Sequence, residues 1–186
     1  MRARQRLAAA TADIHQALHQ AAPFARIAAG RMDPAGYAAL LRMLLRYHVA
    51  MAPACAAGAA LLKAPQLANA HARRMDDLRA DLRALGNSVP TADASAPRAG
   101  DFSVGALYTV MGSTLGGKVI YRQLDGMLPG DEARRFFRGH DDDAIHWRLF
   151  CDRLEAATLD MAQAEAGAAH AFACFRDMLQ EELATT

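Results

Sequence analysis

Apolar residues recur along this chain at three- and four-residue intervals, and no stretch alternates convincingly as a strand would. With many Ala and Leu and few β-branched residues, the pattern predicts an all-α fold. A first helix is expected over residues 2–21, with Leu7, Thr11, Ile14, His15 and Leu18 on one inward stripe, ended by Pro23. Asp33-Pro34 announces the second, a capping carboxylate followed by proline at the first helical position. Its inward face carries Tyr37, Leu40, Leu41, Leu44, His48 and Met51, and Pro53 is expected to kink or break it. A further run over 54–63 stops at Pro65, and Leu67, His71, Met75, Leu78, Leu82 and Leu85 then keep helical spacing up to Gly86-Asn87.

Residues 87–101 are rich in Ser, Pro, Ala and Gly and read as a long connection inside one domain spanning 1–186. A helix over 102–125 follows, then a turn at Pro129-Gly130. Asp141-Asp142-Asp143 places negative charge where a helix N-terminus attracts it, as a solvated cap. That helix presents Trp147, Phe150, Cys151 and Leu154. A last one aligns Ala168, Phe172, Phe175, Leu179 and Leu183.

The helix over 102–125 is anomalous because its interior holds Gly112, Gly116 and Gly117. Each costs roughly 1 kcal/mol of helix stability against Ala. Positions 112 and 116 share a face, so a bare strip of backbone runs along one side. Such a strip admits either a neighbouring helix at close range or a flat ligand lying on the main chain.

Composition narrows the field. The chain has 186 residues, 53% hydrophobic and 22% charged, enough for one sizeable core. Its net charge of +1 gives no reason to expect nucleic acid or an anionic membrane surface as partner. No apolar run approaches the roughly 20 residues of a bilayer span, and the basic N-terminus leads into an amphipathic helix rather than a secretion signal. Cys55, Cys151 and Cys174 are odd in number and far apart, which suits reduced thiols and a cytoplasmic location.

Among the histidines, His15 stands out because it falls on the apolar stripe of the first helix. Taken alone it reads as a packed core histidine bonded to a carbonyl, and ligation to a metal is the alternative. His15 and His19 have the spacing of a two-histidine metal site, but no third ligand follows at a matching spacing. His48, His71 and His170 read as packed or half-buried, and Lys118 lies inside a helix rather than in a phosphate-binding turn.

Several segments together resemble the heme oxygenase family in its bacterial form. The segment Leu7-Ala-Ala-Ala-Thr11-Ala-Asp-Ile-His15 is similar to that family's proximal-histidine helix. Gly36-Tyr37 and Tyr47-His48 continue the likeness, and Gly105-Ala-Leu-Tyr108 with Gly112-Ser-Thr-Leu-Gly116-Gly117 carries it furthest, resembling the distal helix. Phe136-Phe-Arg-Gly139 and Trp147-Arg-Leu-Phe150 extend it to nearly the whole chain.

The resemblance implies a monomeric all-α bundle holding heme, substrate and cofactor at once, between the first helix and the glycine helix. Dioxygen and external electrons would open the porphyrin at a meso carbon to biliverdin, carbon monoxide and ferrous iron. It further implies that His15 ligates the iron through a neutral imidazole, unlike a thiolate ligand that favours O–O cleavage. Gly112, Ser113 and Gly116 would form the catalytic wall, with Gly117 completing it and Tyr108 and Arg148 near the propionates. Ser113 departs from the animal enzymes, which have a carboxylate there, and Ala8 and Ala12 stand where those enzymes are basic. The implied partner is a reductase or ferredoxin. Two other readings remain at this point: a heme- or bilin-binding protein without turnover, and a helical interaction module whose glycines only seat a helix.

Overall fold

The computed structural model describes residues 2–91, 93–94, 100–128 and 130–184, and every described regular element is a helix. The expected turn at Pro129 and the centre of the 87–101 connection lie outside the described residues. In chain order the helices are α1 Ala3–His19, α2 Ala22–Ala28, α3 Pro34–Leu61, α4 Pro65–Ala84, α5 Asp101–Gln123, α6 Arg135–Arg138, α7 Asp143–Ala156 and α8 Met161–Ala184.

Local chemistry accounts for most of these boundaries. Asp33 caps α3 by accepting from the Gly36 N–H at 2.7 Å, and its other oxygen takes a guanidinium N–H of Arg26 at 2.8 Å. Gly86 ends α4 with φ +70°, a left-handed conformation that costs glycine nothing. Two proline readings need correction. Pro23 does not end a helix but sits in the first turn of α2, where a missing N–H leaves nothing unsatisfied. Pro53 does not divide α3, which runs unbroken through it for 28 residues. An interior proline costs about 3 kcal/mol, and α3 offsets that by burying fifteen residues against its neighbours.

The unbroken α3 also corrects the expectation about apolar length. Among the described residues it is the one helix long and apolar enough, by length and composition, to cross a bilayer, and 56% of that window is buried inside the protein. It is the central strut of the fold, packed by α4, α5 and α8.

The triple aspartate is also more than a solvated cap. Asp143 is buried and accepts the His140 N–H at 2.9 Å, while Asp142 pairs with Arg73 at 2.7 Å; only Asp141 is exposed. A second buried carboxylate, Asp81, accepts the N–H groups of Arg135 and Phe136 at 3.0 and 2.9 Å, which anchors the short helix α6 on α4. That helix escaped the sequence reading because four residues carry no periodicity.

α5 and α8 approach to main-chain range. A Cβ on Gly105 would fall on the Ala164 carbonyl, and one on Gly167 would fall on the Phe102 carbonyl. On the other side of α5, a Cβ at Gly58 would stand 2.6 Å from the Ser103 carbonyl oxygen. Main chain meets main chain at all three places. At Gly116, by contrast, no atom lies within 4 Å of an added Cβ.

These surroundings predict opposite signs for one kind of substitution. Gly105→Ala should destabilise by about 3 kcal/mol or more, because backbone must shift. Gly116→Ala should be neutral or stabilising by up to roughly 1 kcal/mol, from helix propensity. Urea unfolding of both variants measures this; comparable losses at the two positions would contradict it.

Candidate functional site

The open side of α5 faces a cavity of about 410 Å³, within the range of about 300–1,000 Å³ usual for small-molecule sites. One wall is the α5 stretch from Tyr108 to Ile120, and the facing wall is the α1 stretch from Ala8 to His19. Tyr47 and His48 of α3, Phe136 and Phe137 of α6, Trp147 of α7, and Phe172 and Phe175 of α8 close it.

The glycines do different jobs. Gly116 is bare to the cavity, Gly112 would touch only the Trp147 ring at an ordinary 3.6 Å, and a Cβ on Gly117 would press to 3.3 Å on the Phe137 carbonyl oxygen. No helix occupies the strip, so of the two readings of the glycine pattern the slot for a flat ligand is the one the packing favours. The helix-packing glycines are Gly105 and Gly167 instead. Ser113 lines the cavity, and its hydroxyl donates to the Val110 carbonyl at 2.7 Å, leaving the oxygen as an acceptor.

His15 differs from expectation in its degree of burial. Leu7, Thr11 and His15 share a face of α1, but of these only Leu7 and Thr11 are buried. The stripe then passes onto the cavity, so His15 is exposed as a residue while its ring forms part of the cavity wall. It stands edge-on to Phe172, centroids 5.8 Å apart, and to His19 at 4.6 Å. Partial burial first, and His19 second, hold its pKa below the ordinary imidazole value. The ring is therefore neutral near pH 7, the form in which a nitrogen lone pair can bind a metal.

Tyr108 lies at the cavity against Trp147 and Phe150, with centroids 5.9 and 6.2 Å away. Arg148 is not brought to the cavity. It is exposed on α7, and because successive helical residues point about 100° apart, presenting Trp147 inward turns Arg148 elsewhere. Ala8 and Ala12 do line the wall and leave it bare.

Sequence reasoning treated His48 as packing and gave Tyr47, Arg74 and Phe136 no role, yet all four line the cavity. The Tyr47 hydroxyl is buried with no partner among the described residues. Arg74 is 3% exposed and lies over the Phe136 ring at 4.2 Å. His48 Nδ1 and His71 Nε2 are 3.0 Å apart in one hydrogen bond. A helical stripe of mixed aromatic and basic residues looks like core until its neighbours fail to fill the space.

The apolar cavity thus sets a bare stretch of helix backbone on one wall opposite an imidazole on the other. The chain belongs to the heme oxygenase family: that family's model matches residues 1–181. Members degrade heme to biliverdin, carbon monoxide and iron, and this protein is such a heme-degrading enzyme. A heme oxygenase of Xanthomonas campestris pv. campestris is 40% identical over 118 residues, covering 59% of this chain and 69% of that protein. The solved heme oxygenase of Neisseria meningitidis, described with NO and CO bound, is 26% identical with a TM-score of 0.75, covering 98% of this chain and 92% of that one. Heme oxygenase-1 of Synechocystis sp. PCC6803, solved with heme, shares the fold at 19% identity and a TM-score of 0.73, over 97% and 92% of the two chains.

The buried histidine pair predicts a pH dependence of stability. Burial pushes His71 down to about 4 and His48 well below the ordinary range. In the unfolded chain both take protons near pH 6.5. From there down to about 4 the unfolded state binds more protons than the native state, so stability falls as pH falls. Asp81 works the other way: burial raises it from 3.8 to about 6, so its contribution is lost as pH rises through that window. His71→Phe leaves Asp81 in place and should lose less stability than the parent between pH 6.5 and 4.5. Urea midpoints falling in parallel for the two proteins would contradict a neutral pair.

Proposed function

We propose that His15 would hold the heme iron and that Gly112, Ser113, Gly116 and Gly117 would form the opposite wall of the heme site. The observation that carries this reading is the bare backbone at Gly116 facing the imidazole-bearing stretch of α1 across an apolar cavity. When bound, heme supplies both the iron that activates dioxygen and the ring carbon that is oxidised. The chain supplies position and exclusion. A neutral His15 would offer its lone pair without competing for a proton, and the absence of a side chain at Gly116 would leave the main chain open to a flat ring. Phe136, Phe137, Trp147, Phe172 and Phe175 surround the macrocycle with apolar surface that keeps water from its faces. Ser113 contributes an acceptor oxygen, because its own proton is committed to Val110.

The propionate clamp differs from the one the resemblance implies. Arg148 is off the cavity, and Ala8 and Ala12 are bare, so Tyr108 is the remaining candidate of that set. We take the electrons to come from a separate reductase or ferredoxin. The described residues form helices alone, whereas nicotinamide- and flavin-binding folds are commonly built on parallel sheets.

Hemin titration and aerobic turnover test this reading. The parent protein with a reductase should convert the hemin spectrum to that of biliverdin; a spectrum that stays unchanged would mark a heme-holding protein and overturn the catalytic wall. His15→Ala should retain helical content while losing the histidine-ligated spectrum and turnover by a factor of about 100 or more. Gly116→Leu should fold yet bind hemin poorly, and biliverdin production at the parent rate in that variant would remove Gly116 from the wall.

A further inference from the structure

The cavity wall carries three imidazoles among the described residues: His15 and His19 from α1, and His48 from α3. His48 differs from the other two in being sealed from behind. It is 1% exposed, and its Nδ1 is bonded at 3.0 Å to Nε2 of His71, which is 2% exposed on α4. The His48 ring also lies edge-on to Phe136, centroids 5.3 Å apart, which fixes its plane. Nδ1 is therefore committed, and Nε2 is the nitrogen that His48 has left for the cavity.

Counting protons sets the chemistry of that nitrogen. Burial holds both rings neutral, and the Arg74 guanidinium acts on each in the same direction. A neutral imidazole has one N–H, so the pair has two protons on four nitrogens. One of them lies in the shared bond. If His71 Nε2–H donates, His48 must hold its own proton on Nε2 and presents a donor to the cavity. If His48 Nδ1–H donates instead, its Nε2 is bare and the second proton sits on His71 Nδ1. The polarity that the cavity meets is thus tied to a residue that does not line it.

We propose that His71 is a positioning residue that donates to His48 and thereby holds it in the Nε2–H form, a fixed hydrogen-bond donor aimed into the cavity. Two things favour this direction over its reverse. The Ser113 oxygen keeps an acceptor lone pair at the cavity wall and the buried Tyr47 oxygen has no partner among the described residues, so a donor on His48 meets a lining with oxygens able to accept it. In addition, Nε2–H is the intrinsically preferred form of a neutral histidine side chain, and a donor at Nδ1 of His48 would have to forgo it. The donor would serve an oxygen-bearing ligand or an ordered water, orienting it by a hydrogen bond. Its part in turnover rests on the heme-cleaving reading above; the tautomer itself does not.

The test is made first on the protein without heme. Two-bond ¹⁵N–¹H correlation of uniformly labelled protein at pH 7.5 should show His48 with protonated Nε2 and bare Nδ1. In His71→Phe the His48 signals should move to a mixture of tautomers, and in His71→Gln, whose amide can donate in place of the imidazole, the Nε2–H form should return. A His48 found with its proton on Nδ1 in the parent protein overturns the proposal, as does a His48 tautomer unaffected by His71→Phe. Should His71→Phe not fold, the parent and the Gln variant still decide the matter. With hemin added, the Phe variant should keep hemin affinity within about threefold while turnover falls roughly tenfold or more, and Gln should recover most of it. Equal turnover in the Phe variant and the parent would overturn the catalytic part and leave His15 and the glycine wall standing.

Discussion

The contact on which this structure turns is the backbone-to-backbone meeting of α5 with α8 and α3. Gly105 and Gly167 let two helices touch through main chain, and Gly58 lets α3 approach from the other side. Helices normally lie 8–10 Å apart, held off by side chains. Removing those side chains at one end of α5 clamps that end, and Thr109 Oγ1 adds a bond to the Ala168 carbonyl at 3.3 Å. The rest of α5 then runs from a fixed origin along a fixed line. Its later glycines are held clear of α1 without touching it, and the cavity is the space that results. A slot that must be open and rigid at once is easiest to build this way, with tight packing just before the opening.

Glycine in this helix therefore has two meanings, and only the surroundings separate them. The spacing of Gly112, Gly116 and Gly117 was legible in the sequence as a place where bare backbone is needed. That Gly105 serves packing while Gly116 serves space was not, since each is simply a helical glycine until the opposite wall is known. The same limit applied to the prolines. Pro53 breaks a helix in isolation, but a helix buried on most of its length has tertiary contacts to overrule that preference. Arg148 and Trp147 show a third form of the limit: a motif names adjacent residues, and a helix can present only one of two neighbours to a given wall.

Helical periodicity located the core, and six of the helices, well, because burial on one face is what produces the pattern. Buried polar residues were read less well. Arg74, Asp81 and Asp143 are all under 9% exposed, and in a sequence each looks like a surface residue or an isolated exception; His48 and His71 read as packed, as they are, but the bond between them is not legible there. For His48 and Asp81 the partners lie on other helices, His71 of α4 and the amides of α6, while Asp143 takes the His140 amide just before its own helix. Burying such groups costs several kcal/mol when unpaired and little when paired, so they become visible as a set only after the chain is folded.

The two walls of the cavity treat imidazole differently, and the difference follows from this packing. On α1 the ring of His15 has the rings of His19 and Phe172 beside it and no hydrogen bond among the described residues, so its direction is not fixed in advance. On α3 the ring of His48 is held by a hydrogen bond, an aromatic edge and near-complete burial, so its direction and its proton are decided before anything enters. A metal needs a lone pair that can adjust to a bond length, whereas an oxygen atom needs a proton at a set place. In the proposed reading one residue type would fill both roles, because its surroundings decide which nitrogen it offers and how firmly. The chemistry of the site is carried less by which side chains are present than by how completely the fold has already spent their hydrogen-bonding capacity.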